Sequence, residues 1–65
     1  MNHIRMIRKE QKLSLKALSE RCGVSEAHLR RIEHGESDPT LKTMCRIAWG
    51  LRKDVWEVFE CKNCK

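Results

Sequence analysis

The 65-residue sequence predicts an all-α domain, a compact bundle of about five short helices. Apolar residues recur at helical spacing along nearly the whole chain, and no segment alternates long enough to indicate a sheet. Residues that favour helix N-caps separate the apolar runs and divide the chain into short segments. At this length the chain is one domain at most. We expect the domain to cover residues 1–59, followed by a polar tail, ECKNCK, over residues 60–65.

The first helix is expected to start at Asn2, whose short side chain can accept a hydrogen bond from a free N–H group. It should run to about Gln11. Ile4 and Ile7 face inward at helical spacing, and Leu13 closes the turn that follows.

The next two helices are connected by a short turn. Ser14 is a predicted N-cap, and Gly23 stops that helix in the C′ position. Ser25 caps a third helix of about eight residues, which ends at Gly35. The apolar positions of the second helix are Leu15, Leu18 and Cys22. Two helices joined by about three residues that include a glycine are typical of the helix-turn-helix motif.

Two further helices follow a loop. Pro39 disfavours helix at Asp38, so the chain is expected to restart at a Thr40 N-cap. The fourth helix carries an apolar stripe of Leu41, Met44, Ile47, Ala48 and Leu51. Asp54 and Glu57 have the spacing of a variant capping box for a last helix. Its inward positions are Val55, Val58 and Phe59.

The chain is basic. Lys and Arg number 14 against 9 acids, which gives a formal charge of +5 and a pI near 9.3. Such a field favours nucleic acid or another anionic surface as the partner, although solubility alone also accounts for net charge. There is no apolar run of about 18 residues and no hydrophobic leader, so we expect a cytoplasmic protein without membrane contact. The small core and the lack of a nucleophile–base set or carboxylate pair predict no enzyme activity and no cofactor.

Three segments carry a family resemblance that covers residues 4–59: IRMIRKEQKLSLKALSERCGVS, LRRIEHGESDPTLKTMCRIAWGL and DVWEVF. With these segments the sequence resembles the phage-repressor (Cro/cI-like, XRE) family of helix-turn-helix DNA-binding proteins. The resemblance implies a five-helix, lambda-repressor-like domain. It also implies that the third helix enters the major groove while the second crosses above it.

By this resemblance, base edges are contacted by Glu26, Ala27, His28 and Arg31. Arg31 can bond guanine O6 and N7 with its fork, or a phosphate instead. Glu26 can accept from cytosine N4, or it can stabilise the helix start and pair with Arg30. Ala27 can contact a thymine methyl group, and His28 can donate to guanine or phosphate.

The DNA backbone is expected to be held by Ser14, Lys16, Arg30, His34 and Lys42, together with helix N-termini. The sequence departs from the family here. Leu15 stands where many relatives have a glutamine, and Glu36 and Asp38 lie in a loop that is often basic or amide-rich. These departures weaken the expected phosphate network.

The resemblance also implies a buried ion pair between Arg8 on the first helix and Glu33 near the end of the third. A carboxylate held by a guanidinium fork would orient the recognition helix against the first helix. The alternative is that Glu33 is an ordinary solvated surface acid.

The cysteines allow more than one interpretation. Cys61 and Cys64 form a CxxC that could give two thiolates to zinc or form a redox pair. A structural zinc needs four ligands, which two tails of a dimer could supply; otherwise these are reduced thiols. Cys22 and Cys45 are expected to fill the core.

Trp49 and Trp56 do not fit the apolar stripes of their helices. They either form a homodimer interface or cover the edge of a small core. A twofold pairing would place two recognition helices about 34 Å apart, facing an inverted repeat.

These patterns predict a sequence-specific transcriptional regulator, a repressor, that binds double-stranded DNA as a homodimer. One alternative is an antitoxin-type autoregulator. Another is a protein-interaction or thiol/zinc-sensing module on the same fold.

Overall fold

Five short α-helices follow one another in the computed structural model, which describes residues 2–59. They are α1 (Ile4–Glu10), α2 (Leu15–Cys22), α3 (Glu26–Glu33), α4 (Leu41–Leu51) and α5 (Val55–Val58). Within this range the only extended pairing is an isolated antiparallel bridge between Asn2 and Phe59. The predicted all-α fold class is confirmed.

The expected helix starts are formed by side-chain caps. Ser14 and Ser25 each accept, through Oγ, the N–H of the residue three positions later, at 3.0 and 3.1 Å. Thr40 does the same for α4 at 3.2 Å. At α5, the Glu57 carboxylate accepts the Asp54 N–H at 2.8 Å, as in a capping box. Each bond satisfies a donor that the first turn leaves without a helical partner.

The start of α1 differs from the prediction by one residue. The N-cap is His3 rather than Asn2, and Asn2 pairs with Phe59 in the bridge just before the helix. The Asn2 side chain still serves the first turn, since its Oδ1 accepts the Ile4 N–H at 3.2 Å.

Within residues 2–59, four turns place a residue in the left-handed region of the backbone. Gly23 and Gly35 both have φ of 75°, as suits the end of α2 and the turn after α3. Lys12 and Arg52 adopt φ of 58° and 59° without being glycine. A Cβ atom strains this conformation, so the turns after α1 and α4 are less favourable than the turn after α2.

The core lies where the inward faces of all five helices meet. Its fully buried side chains are Ile4, Leu18, Leu29, Ile32, Ile47, Leu51 and Val58. Cys22 is buried as expected, but two predictions for α4 are wrong: Leu41 is 67% exposed, and Cys45 is exposed rather than a core filler. These two residues are four positions apart, so they share a flank of α4 that turns away from the core.

The close contact between α2 and α4 depends on Gly50, for which the sequence analysis made no prediction. A Cβ atom at this buried glycine would lie 3.0 Å from Cβ of Cys22 and 3.3 Å from Cδ1 of Leu18. The missing side chain therefore lets α4 pack directly on the helix that supports α3. The Gln11 side chain adds a hydrogen bond to the Leu51 carbonyl at 2.6 Å.

Candidate nucleic-acid interface

The helix-turn-helix unit is α2, the turn through Val24 and α3. Val24 is buried, and Leu18 of α2 and Leu29 and Ile32 of α3 have no exposed surface. Because these apolar residues fix one side of α3 against the core, its opposite side must face solvent. That side is free to meet a partner.

We call the outer side of α3 the reading face, comprising the predicted base-contacting residues Glu26, Ala27, His28 and Arg31. Glu26, Ala27 and Arg31 are exposed, whereas His28 is half-buried. Glu26 lies in the first turn of α3, where the partial positive charge of the helix start favours a carboxylate. Arg31 lies in the last turn, so its long side chain has room to reach outward.

All the predicted phosphate-binding side chains are exposed: Ser14, Lys16, Arg30, His34 and Lys42. Ser14 accepts the Ala17 N–H, which leaves its own O–H proton available to donate. Lys16 and Lys42 lie in the first turns of α2 and α4, next to helix N–H groups without helical partners. Helix starts and cations of this kind suit phosphate oxygens.

The acid Glu36 lies beside His34, a contact that sequence reasoning missed. Nδ1 of His34 is 3.9 Å from Oε2 of Glu36, and the two side chains are 54% and 64% exposed. When His34 is protonated, the Glu36 carboxylate competes with phosphate for its charge. The acidic loop therefore places a carboxylate next to a predicted phosphate-binding residue.

Arg8 and Glu33 form the ion pair that the family resemblance implies. Nε of Arg8 lies 2.9 Å from Oε2 of Glu33, and Nη2 donates to Oε1 at 3.4 Å. Nη1 of Arg8 donates to the Leu13 carbonyl at 2.9 Å. The side chains are only 15% and 4% exposed, so Glu33 is not a solvated surface acid. The pair joins the last turn of α3 to α1 and to the turn that follows α1.

A second polar contact at the same turn was not predicted. Nδ2 of Asn2 donates to the Ile32 carbonyl at 2.8 Å, across 30 positions of sequence. No periodicity or motif signals such a bond, because it depends on where the chain returns in space. In the sequence analysis, Asn2 had a role only as a cap for the first helix.

The two tryptophans lie on the last two helices. Trp49 on α4 is 74% exposed and Trp56 on α5 is 69% exposed, so neither covers the core in the chain alone. An open cleft lies beside Trp49, and Arg21, Arg52 and Lys53 are among the residues that line it. Large exposed aromatic side chains of this kind commonly mark contact surfaces.

Cys61 and Cys64, the weak metal candidates, lie outside the described residues. Over residues 2–59 no three His, Cys, Asp or Glu side chains come together in a way that could hold a metal ion. In the same part of the chain no helix has the length and apolar character needed to cross a bilayer.

Comparison with known proteins places these features in a family. A family model described as helix-turn-helix matches residues 4–54. The HTH-type transcriptional regulator SutR of Escherichia coli (strain K12) is 44% identical over 48 residues. That match covers 74% of this chain but only 27% of SutR, so the similarity concerns one part of a longer relative.

Proposed function

The chain belongs to the XRE family of helix-turn-helix proteins, and from that premise we propose that it is a sequence-specific DNA-binding transcriptional regulator that inserts α3 into the major groove. The observation that carries this proposal is the two-sided construction of α3. Its inner side is packed in the core and bonded to Arg8, while Glu26, Ala27 and Arg31 stand exposed on its outer side. The similarity to SutR, a transcriptional regulator by its name, agrees with this function.

Arg31 is the main base-reading residue in this proposal. Its guanidinium fork can donate to O6 and N7 of one guanine, a contact worth about 1–3 kcal/mol of discrimination against other bases. Glu26 accepts from cytosine N4, Ala27 contacts a thymine methyl group, and His28 donates to guanine or to phosphate. The half-burial of His28 restricts its reach compared with its neighbours.

The phosphate contacts position the protein without specifying sequence. Ser14 and Lys16 hold one strand at the start of α2, and Lys42 acts at the start of α4. Arg30 and His34 flank the reading face, where Arg30 adds positive charge and His34 can donate a hydrogen bond to a phosphate oxygen. Because Glu36 lies beside His34, that contact is the weakest of the set.

The regulator acts as a homodimer and a repressor in this proposal. Trp49 and Trp56 supply apolar contact area that the chain alone leaves exposed. A twofold pairing through them would present two α3 helices to half-sites about one DNA turn apart, and occupation of a promoter by such a dimer blocks transcription. Sedimentation should show a dimer in the wild type and a shift toward monomer in Trp56→Ser. A wild type that stays monomeric at high protein concentration contradicts this assembly.

The DNA-binding proposal is tested by selecting bound sequences from a random duplex pool and measuring affinity for the enriched site. Binding should weaken steeply as salt rises, since phosphate contacts release counterions. Arg31→Ala should lower affinity for the selected site by about tenfold more than it lowers affinity for random DNA, because only the selected site loses a base contact as well as a positive charge. The control is Arg46→Ala, which removes the same charge from an exposed position on α4.

Two results would count against the proposal. If no sequence is enriched from the pool, sequence-specific binding is wrong. If Arg31→Ala weakens selected and random DNA equally, as Arg46→Ala should, then Arg31 contacts phosphate and does not read a base.

A further inference from the structure

The end of α3 is held at two successive residues by partners from the N-terminal part of the chain. Glu33 is bonded through its side chain to Arg8, and Ile32 is bonded through its carbonyl oxygen to Nδ2 of Asn2. The two contacts differ in kind, because one grips a side chain and the other grips the helix backbone itself. Beyond the apolar packing of Leu29 and Ile32, two contacts of different kinds restrict the orientation of the helix end more than either contact alone.

Asn2 is itself fixed from several directions. Its Oδ1 accepts the Ile4 N–H at 3.2 Å, and its backbone pairs with Phe59 in the isolated bridge. The neighbouring His3 N–H donates to the Val58 carbonyl at 2.6 Å. The side-chain amide of Asn2 therefore connects α3 to the start of α1, while its backbone pairs with the residue that follows α5.

We propose that Asn2 is a positioning residue for DNA recognition, which sets the orientation of α3 and thereby the placement of Arg31. This inference rests on the proposed function. Asn2 precedes residues 4–54, the region that the family model matches, whereas its partner Ile32 lies inside that region. Arg31 immediately precedes Ile32, whose carbonyl Asn2 holds. A change of only about 10–20° in a supporting element is enough to spoil a recognition geometry.

Two substitutions remove the contact in different ways. Asn2→Asp keeps an oxygen for the Ile4 N–H but replaces the donor to the Ile32 carbonyl with a carboxylate oxygen. Asn2→Ser keeps an acceptor, is uncharged and is too short to reach that carbonyl. Both variants should lower the ratio of selected-site to random-DNA affinity by about tenfold.

The matched control for the charge of Asn2→Asp is Met6→Asp, at an exposed position on α1. It should weaken selected and random DNA alike and leave their ratio unchanged, because added negative charge opposes phosphate without regard to sequence. All affinities are compared at a temperature where circular dichroism shows each variant to be folded.

A double variant separates positioning from general stability. If Asn2 acts by placing Arg31, then Asn2→Ser should cost little further discrimination in a protein that already carries Arg31→Ala. Independent, additive losses in the ratio would overturn the proposal, since Asn2 would then act by another route.

Amide hydrogen exchange tests the same contact without DNA. The N–H groups of Gly35 and Glu36 donate to the carbonyls of Ile32 and Arg31 at 3.0 and 2.9 Å, and they report on the end of α3. Asn2→Ser should accelerate their exchange by more than that of the Gly23 N–H at the end of α2.

The combined outcomes keep the two proposals distinct. Failure of the wild type to select any DNA sequence overturns the proposed function, while the exchange data still decide whether Asn2 holds α3. Unchanged exchange at Gly35 overturns the positioning role in every case. Faster exchange with an unchanged affinity ratio overturns it as well, because Asn2 would then stabilise α3 without placing its side chains.

Discussion

The α2–α3 half and the α4–α5 half of this molecule differ in the residue that ends the first helix of each half and in whether polar bonds or exposed aromatic side chains predominate. The α2–α3 half ends its first helix at a glycine suited to φ of 75° and holds α3 with partly buried polar bonds from Arg8 and Asn2. The α4–α5 half turns at Arg52, which strains the same backbone conformation, and leaves Trp49 and Trp56 exposed. Polar bonds have direction, so they fix orientation. Exposed aromatic side chains instead provide apolar contact area, and the partner that packs on them sets the orientation of that contact.

The test with the largest expected effect breaks the ion pair that holds α3 in the α2–α3 half. Glu33→Gln leaves the Arg8 guanidinium without a carboxylate at a site where both side chains are mostly buried. We expect the free energy of unfolding to fall by about 3 kcal/mol in urea titrations, a large fraction of the stability of so small a domain. Glu20→Gln, at an exposed acid of α2, is the control and should change it by less than about 0.5 kcal/mol. A small effect of Glu33→Gln would mean that apolar packing alone orients α3.

The second test acts where the two halves meet. Gly50→Val places a side chain against Cys22 and Leu18, so α4 must move away from α2. We expect a loss of about 2 kcal/mol in the same titrations, as is usual for overpacking. Cys45→Val adds the same side chain at an exposed position of α4 and should be nearly neutral. Equal behaviour of the two variants would show that the helices separate without penalty.

The test with the smallest expected effect compares the turn after α4, at Arg52, with the turn after α2, at Gly23. Arg52→Gly should raise the melting temperature by removing Cβ strain at φ of 59°, with a gain of about 0.5 kcal/mol after the entropy of the unfolded glycine is subtracted. Gly23→Ala should lower stability by about 1 kcal/mol for the converse reason. If Arg52→Gly destabilises the protein, contacts of the Arg52 side chain outweigh the strain, and the α4–α5 turn is not the weaker one.

Local chemistry explains why most of the fold could be predicted. The caps at Ser14, Ser25 and Thr40 depend on a side chain and an N–H three positions away, so they are encoded within one helical turn. The stop at Gly23 is equally local. The pair between Arg8 and Glu33 is long-range, so it could be predicted from the sequence only through the family resemblance.

The errors share a physical cause. Leu41 and Cys45 are apolar by type, but burial also depends on whether another helix covers that flank of α4, and none does in residues 2–59. The contact of the reading face with DNA stays a prediction, because exposure of Arg31 permits base contact without showing it. The three interpretations of Cys61 and Cys64, a zinc site, a redox pair or reduced thiols, also stay predictions, because these residues lie outside the described range.

The sequence by itself determined the all-α class, most of the helix boundaries and the helix-turn-helix unit, because propensity, capping and apolar spacing act over a few residues. Only the tertiary structure decided that Asn2 bonds the Ile32 carbonyl, that Gly50 lets α4 rest on α2, and which apolar residues of α4 stay outside. These features arise where distant segments meet at a distance of a few ångströms. Such proximity depends on how whole helices pack, and no local pattern in the chain records it.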